Sequence, residues 1–168
     1  MLKKVTLVFF LALASSYAGA QEKWFNQKIN DKVDVNFPIE AKKLNETSYG
    51  IRNNDGVVFL ITTVDLLKVT GMTAKEFNEE VVKQKWAEEF MGGLAPTMPN
   101  YTFSAPKIVT FKSNPAYQTS GRDDKNKNTI YMNLVFIDGI VYNMSSIVPD
   151  GKETKTTDKF LKELYIRL

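Results

Sequence analysis

Several constellations in this chain have residue types that can do chemistry. Ser104-Ala105-Pro106-Lys107 has the S-x-x-K spacing of serine–lysine acyl transfer. That chemistry needs the serine at a helix start, so that the lysine returns beside its hydroxyl one turn later. Here the motif falls in a strand-like stretch with a proline inside it, and neither S-D-N nor K-T-G accompanies it. Asp124-Lys125-Asn126-Lys127-Asn128 copies the first half of a calcium loop. Its sixth position is Thr129 instead of the glycine the sharp turn needs, and its twelfth is Val135 instead of a bidentate glutamate. Two lysines inside the would-be cage oppose a cation further, so a solvated hairpin tip is the reading. Glu79-Glu80 and Glu88-Glu89 are the densest carboxylates. A glycoside hydrolase needs two acids of separated pKa facing each other across a cleft. On a helix beside Lys83 and Lys85, i,i+4 pairing accounts for these acids. Asn45, Asn100 and Asn143 begin N-x-[ST] sequons, which matter only in a eukaryotic secretory pathway.

The chain has no cysteine and no histidine. Ser-His-Asp and Cys-His catalysis, thiolate redox chemistry and the ordinary zinc and copper sites are therefore closed to it. The expectation is a non-enzymatic protein with no catalytic residues, no metal ligands and no cofactor.

Residues 1–20 read as an export signal. Lys3 and Lys4 give a positive start, Val5 to Ala14 form a short apolar run, and Ala18-Gly19-Ala20 supplies small-x-small. The run is shorter than the about 20 residues a membrane-spanning helix needs. Gln21 follows the expected cut where a lipid anchor would require cysteine, and no later segment is apolar enough to span. The expected mature chain, residues 21–168, is one globular domain, exported to the periplasm or medium. Without Lys3 and Lys4, 20 basic residues stand against 19 acidic ones. That balance offers nothing to nucleic acid or to an anionic membrane.

The elements that must position any site can be read along the chain. Val33, Val35 and Phe37 alternate with Asp34 and Asn36 up to Pro38, and Thr47, Tyr49 and Ile51 alternate before the turn Asn53-Asn54-Asp55-Gly56. Val57 to Leu66 is apolar at both parities, as a strand covered on both faces should be. Thr73 with Glu76 makes a capping box that opens a helix to about Met91, stopped by Gly92-Gly93. Four strands follow, over 101–111, 116–122, 129–137 and 140–148, with Pro106 marking a bulge or edge in the first. Asp138-Gly139 is a type I′ hairpin turn that sets Ile137 opposite Ile140. A short closing helix carries Phe160, Leu161 and Leu164 on one side.

Three strands, a helix, four strands and a helix predict an α+β fold. Its centre is an antiparallel sheet of about six to seven strands with helices on both faces, an α/β/α sandwich. K-V-D-V-N-F-P near the start of the domain, N-P-A-Y-Q after the helix, I-D-G-I-V-Y-N-M in the late hairpin and K-F-L-K-E-L-Y-I at the close together resemble the PsbP-like superfamily, which includes small exported bacterial members of unassigned role. The resemblance covers most of the mature chain. It implies a central antiparallel sheet with helices on both sides and a non-catalytic accessory or protein-binding role, and it carries over no residue set.

One feature points to a contact surface. On a continuous helix from Thr73 to Met91, Ala74, Phe77 and Val81 cluster on one arc, while Val82, Trp86 and Phe90 form a ridge on roughly the opposite arc. Either the loop 92–100, with Leu94 and Met98, folds back over that ridge, or the ridge and loop form a pocket or docking surface. The candidate site is therefore Val82, Trp86, Phe90, Leu94 and Met98. Its occupant is a protein partner or, alternatively, a small apolar ligand carried between helix and sheet. A hydrolase using carboxylates alone is the remote alternative.

Overall fold

A computed structural model describes residues 24–167, and the expected export segment lies outside them. The late hairpin sits at the centre, as its doubly apolar strands require. Strands β9 (Asn128–Ile137) and β10 (Ile140–Pro149) pair with Ile137 opposite Ile140. Asp138 and Gly139 both take positive φ, 50° and 77°, as the two-residue turn demands.

Around this hairpin an eight-stranded antiparallel sheet is laid out. Its main path runs β3 (Lys42–Asn45), β4 (Ser48–Arg52), β5 (Val58–Asp65), β10, β9, β8 (Asn114–Asp123) and β6 (Thr102–Phe103). The eighth strand, β7 (Lys107–Phe111), pairs with the other half of β8. The predicted strand over 101–111 is therefore two strands, broken at Ser104-Ala105-Pro106, where proline cannot donate to the ladder. The sheet is one strand wider than the upper expectation.

Two faces, two covers. Ile130, Met132, Leu134, Phe136 and Val141 point to one side, where they meet Leu66, Phe77, Val81, Ala87 and Met91. Those residues come from three consecutive helices, α1 (Leu66–Thr70), α2 (Ala74–Glu80) and α3 (Gln84–Leu94), and from the joint between the last two. Phe59, Ile61, Val135, Tyr142 and Met144 point to the other side. Its cover is a second, three-stranded sheet, β1 (Phe25–Lys28), β2 (Val33–Phe37) and β11 (Leu164–Ile166), together with α4 (Lys155–Phe160). The predicted first strand, β2, thus belongs to a separate sheet, with Val33, Val35 and Phe37 fully buried against the large one.

Helices do cover both faces, but on the second face the small sheet shares that work. Phe160 fixes α4 there, with its ring centroid 5.1 Å from that of Phe37 and 5.2 Å from that of Phe59. The predicted closing helix ends at Phe160, and Leu164 is the first residue of β11. At the other end, Trp24 packs against this core with Lys159 Nζ 4.2 Å from its ring centroid.

Candidate functional site

The expected helix from Thr73 to Met91 starts as predicted and does not continue. The capping box forms: Glu76 N–H donates to Thr73 Oγ1, and Thr73 N–H donates back to Glu76 Oε2. The two Thr73 donors hold the Glu76 carboxyl below its ordinary pKa. The chain leaves the helix after Val81, because Lys83 is extended (φ −94°, ψ 133°), and α3 begins at Gln84. Val81-Val82 is a β-branched doublet, stiff at χ1 and a weak helix former. The break frees the Val81 carbonyl inside the core, and the buried Tyr117 hydroxyl donates to it at 2.5 Å. Burial pushes the Tyr117 phenol well above its ordinary pKa.

The break changes where the ridge points. Phe77 and Trp86 are nine residues apart, which on one straight helix puts them about 180° apart. In the structure their rings meet edge to face at 5.7 Å. Trp86 stacks on Phe90 (5.5 Å, 24°), and both rings contact Tyr117 and Phe136, which are themselves 4.5 Å apart. The second apolar stripe disappears: α3 has one stripe, with Ala87 and Met91 buried at its centre and Trp86, Phe90 and Leu94 half-buried along its edge.

Four of the five candidate residues are brought together. Leu94 and Met98 pack against the same cluster as Trp86 and Phe90. A short 3-10 turn, Ala95–Thr97, folds the chain back between them. Val82 stands apart at the helix break, 56% exposed. The rings fill the space between α3 and the sheet, so the apolar surface left over faces outward. Charges of both signs border it, Lys83 with Glu80 at 2.6 Å and Lys85 with Glu89 at 3.7 Å.

Ser104 and the 123–128 hairpin tip are tied into the sheet's hydrogen bonding. Ser104 hydrogen-bonds Ser120 across the β6–β8 pairing, accepting from its N–H and donating to its carbonyl. Asp123 accepts from the backbone and side-chain amides of Asn126, which lower its pKa and shape the hairpin tip. Arg122 clamps Asp150 through two nitrogens and Asp124 through a third, depressing the Asp150 carboxyl. Among the described residues no group of three or more Asp or Glu side chains is placed to hold a metal ion.

A cleft of about 300 Å³ opens on the opposite face of the large sheet, between strands β8 and β9 and the end of α4. Gln118, Tyr131 and Asn133 line it from β8 and β9, and Asp158, Leu161 and Lys162 from α4 and the turn that follows. Asn133 is buried, and its Nδ2 donates to the Leu161 carbonyl at 2.8 Å. That bond fixes the amide orientation, because a carbonyl can only accept. Asn133 Oδ1 is left buried without a hydrogen-bond partner. The sequence carried one signal of this: Asn133 is a lone amide at a position whose same-face strand neighbours, Tyr131 and Val135, are bulky and apolar.

The α+β fold is like that of PsbP, and a second solved structure shares the same arrangement. The solution structure of cyanobacterial PsbP (CyanoP) from Synechocystis sp. PCC 6803 superposes with a TM-score of 0.57 at 9% identity, over 89% of this chain and 96% of that one. A crystal structure of a protein from Bacteroides thetaiotaomicron superposes with a TM-score of 0.54 at 16% identity, over 88% of this chain and 49% of that one. The chain therefore spans about half the length of the Bacteroides protein. No protein-family pattern and no curated protein sequence matches the chain. At these identities the likeness is one of fold. No helix among the described residues is long and apolar enough to cross a membrane.

Proposed function

We propose that the protein is an exported, non-catalytic binding or accessory module that docks a protein partner along the edge of α3 where Trp86, Phe90 and Leu94 stay half-exposed. The observation that carries this reading is the stacked Trp86–Phe90 pair, half-buried and held at its inner edge by Phe77, Tyr117 and Phe136. Aromatic side chains already immobilised lose little entropy on binding and are the residue types that dominate protein–protein contacts. The border suits a protein as well. Lysines and glutamates of both signs surround an apolar centre, the layout of an interface core with a polar rim, and they give no single-sign field for nucleic acid or lipid headgroups. Export rests on the pattern of residues 1–20.

Val82 is the place to test this, because it is exposed and a charge there spares the core. Affinity capture from the native envelope or medium, with the wild-type chain and Val82→Glu side by side, should yield a co-purifying protein that the variant loses while keeping its melting temperature. Equal recovery by both chains removes the α3 face as the docking surface.

A further inference from the structure

We propose that the cleft between α4 and strands β8 and β9 is a binding site for a small zwitterion, of the class of a free amino acid. The site lies on the opposite face of the large sheet from α3 and stands or falls separately from the docking surface.

Three features converge there. The first is the orphaned acceptor. Asn133 Oδ1 is buried at the cleft with no partner, while the other end of the same amide is committed to Leu161. An unsatisfied buried acceptor is costly, and a donor arriving from the cleft relieves that cost. The second is a pair of opposite charges held apart. Asp158 lies in α4 and Lys162 in the turn that follows it. Both line the cleft, and among the described residues neither forms an ion pair. The third is size: about 300 Å³ is room for a molecule as small as an amino acid and sits at the small end of ligand-pocket volumes.

The groups sort by the charge they attract. An ammonium finds the Asp158 carboxylate and the Asn133 Oδ1 acceptor, and needs both, since it carries three donors. A carboxylate finds Lys162 and the amide of the exposed Gln118, which faces Asn133 across the β8–β9 ladder. Tyr131, half-buried beside them, offers a ring face and a hydroxyl to whatever side chain the ligand carries. A simple cation would leave Lys162 opposed, and a simple anion would leave Asp158 opposed. A molecule bearing both charges satisfies the site.

The test is a titration of the purified, 15N-labelled protein with each of the standard amino acids, following the side-chain amide signals of Asn133 and Gln118. Methylamine and acetate serve as the separated halves of the zwitterion. The expected result is a saturable shift of both amides with at least one amino acid at millimolar concentration or below. Each half should bind at least about tenfold more weakly, the size of one charged hydrogen bond. Asp158 and Lys162 are exposed, so Asp158→Asn and Lys162→Gln leave the fold intact, and each should weaken binding by a similar factor. The proposal is overturned if no amino acid gives a saturable shift, if either half binds as well as the whole, or if both variants bind unchanged.

Discussion

Replacing Tyr117 with phenylalanine removes one oxygen atom from the joint between α2 and α3. The ring keeps its place against Phe136, Trp86 and Phe90, so no cavity forms and the packing term is small. What is lost is the hydrogen bond to the Val81 carbonyl, which lies in the core because the helix breaks there. A buried acceptor stripped of its donor costs about 1–3 kcal/mol. At roughly 2–4 °C per kcal/mol for a domain of this size, the melting temperature should fall by about 2–12 °C. Urea unfolding followed by Trp fluorescence should show a lower midpoint at an unchanged slope, the sign of a native-state loss. A pH series adds an independent check. Burial raises the Tyr117 pKa above its unfolded value near 10. Its contribution is therefore complete below pH about 10 and is lost as pH rises towards the folded value, because the unfolded chain releases a proton that the native state retains. Tyr117→Phe should flatten that alkaline decline. A variant within 0.5 kcal/mol of wild type, with the same alkaline profile, would refute the claim that this bond holds the joint on which Trp86 and Phe90 are set.

Three further outcomes are expected. Gly139→Ala should cost more than about 1 kcal/mol in equilibrium unfolding, since φ is +77° and a Cβ would lie 2.3 Å from Leu67 Cγ; a neutral effect would mean that α1 can shift freely off the hairpin turn. Thr73→Ala should lower stability by about 0.5–2 kcal/mol through the lost α2 cap, read by thermal melts. Asp150→Asn should reduce the loss of stability on acidification. The Asp150 carboxyl is held below its ordinary value by Arg122, so its contribution is present above pH about 4 and disappears as pH falls through the lowered value; acid melts of the two chains that overlay would contradict the pairing.

Much of this architecture is legible in the residues. The hairpin turn, its register and the assignment of Phe136, Leu134 and Tyr142 to opposite faces follow from Asp138-Gly139 and a period of two, because strand pairing across a two-residue loop leaves no freedom. The capping box at Thr73 is equally local. The small sheet is not local: β2 and β11 pair through Leu164↔Val35 and Ile166↔Val33 from opposite ends of the chain, and a three-residue strand has no period of its own to read. The helix break is not legible in the sequence for a different reason. Val81-Val82 carries no glycine or proline, and its weak β-branched preference becomes a break only where the rings are buried and the Tyr117 hydroxyl meets the freed carbonyl. One continuous helix over α2 and α3 would carry a second apolar stripe, and the break turns most of it inward. Four of the five residues named from sequence, Trp86, Phe90, Leu94 and Met98, gather on one cluster while Val82 stands apart at the break, whereas the cleft at Asn133 depends on where α4 ends and shows in the sequence only as an amide out of place among apolar neighbours.

The most direct test of the docking surface is site-specific photo-cross-linking in the native envelope or medium, with a benzophenone side chain placed at Val82 and, as a control, at Leu44. Leu44 is 57% exposed on the edge strand β3, matching Val82 in exposure while belonging to neither α3 nor the joint before it. The account predicts a discrete heavier adduct from position 82 and none from position 44. Adducts of the same mass from both positions, or none from position 82, would contradict it.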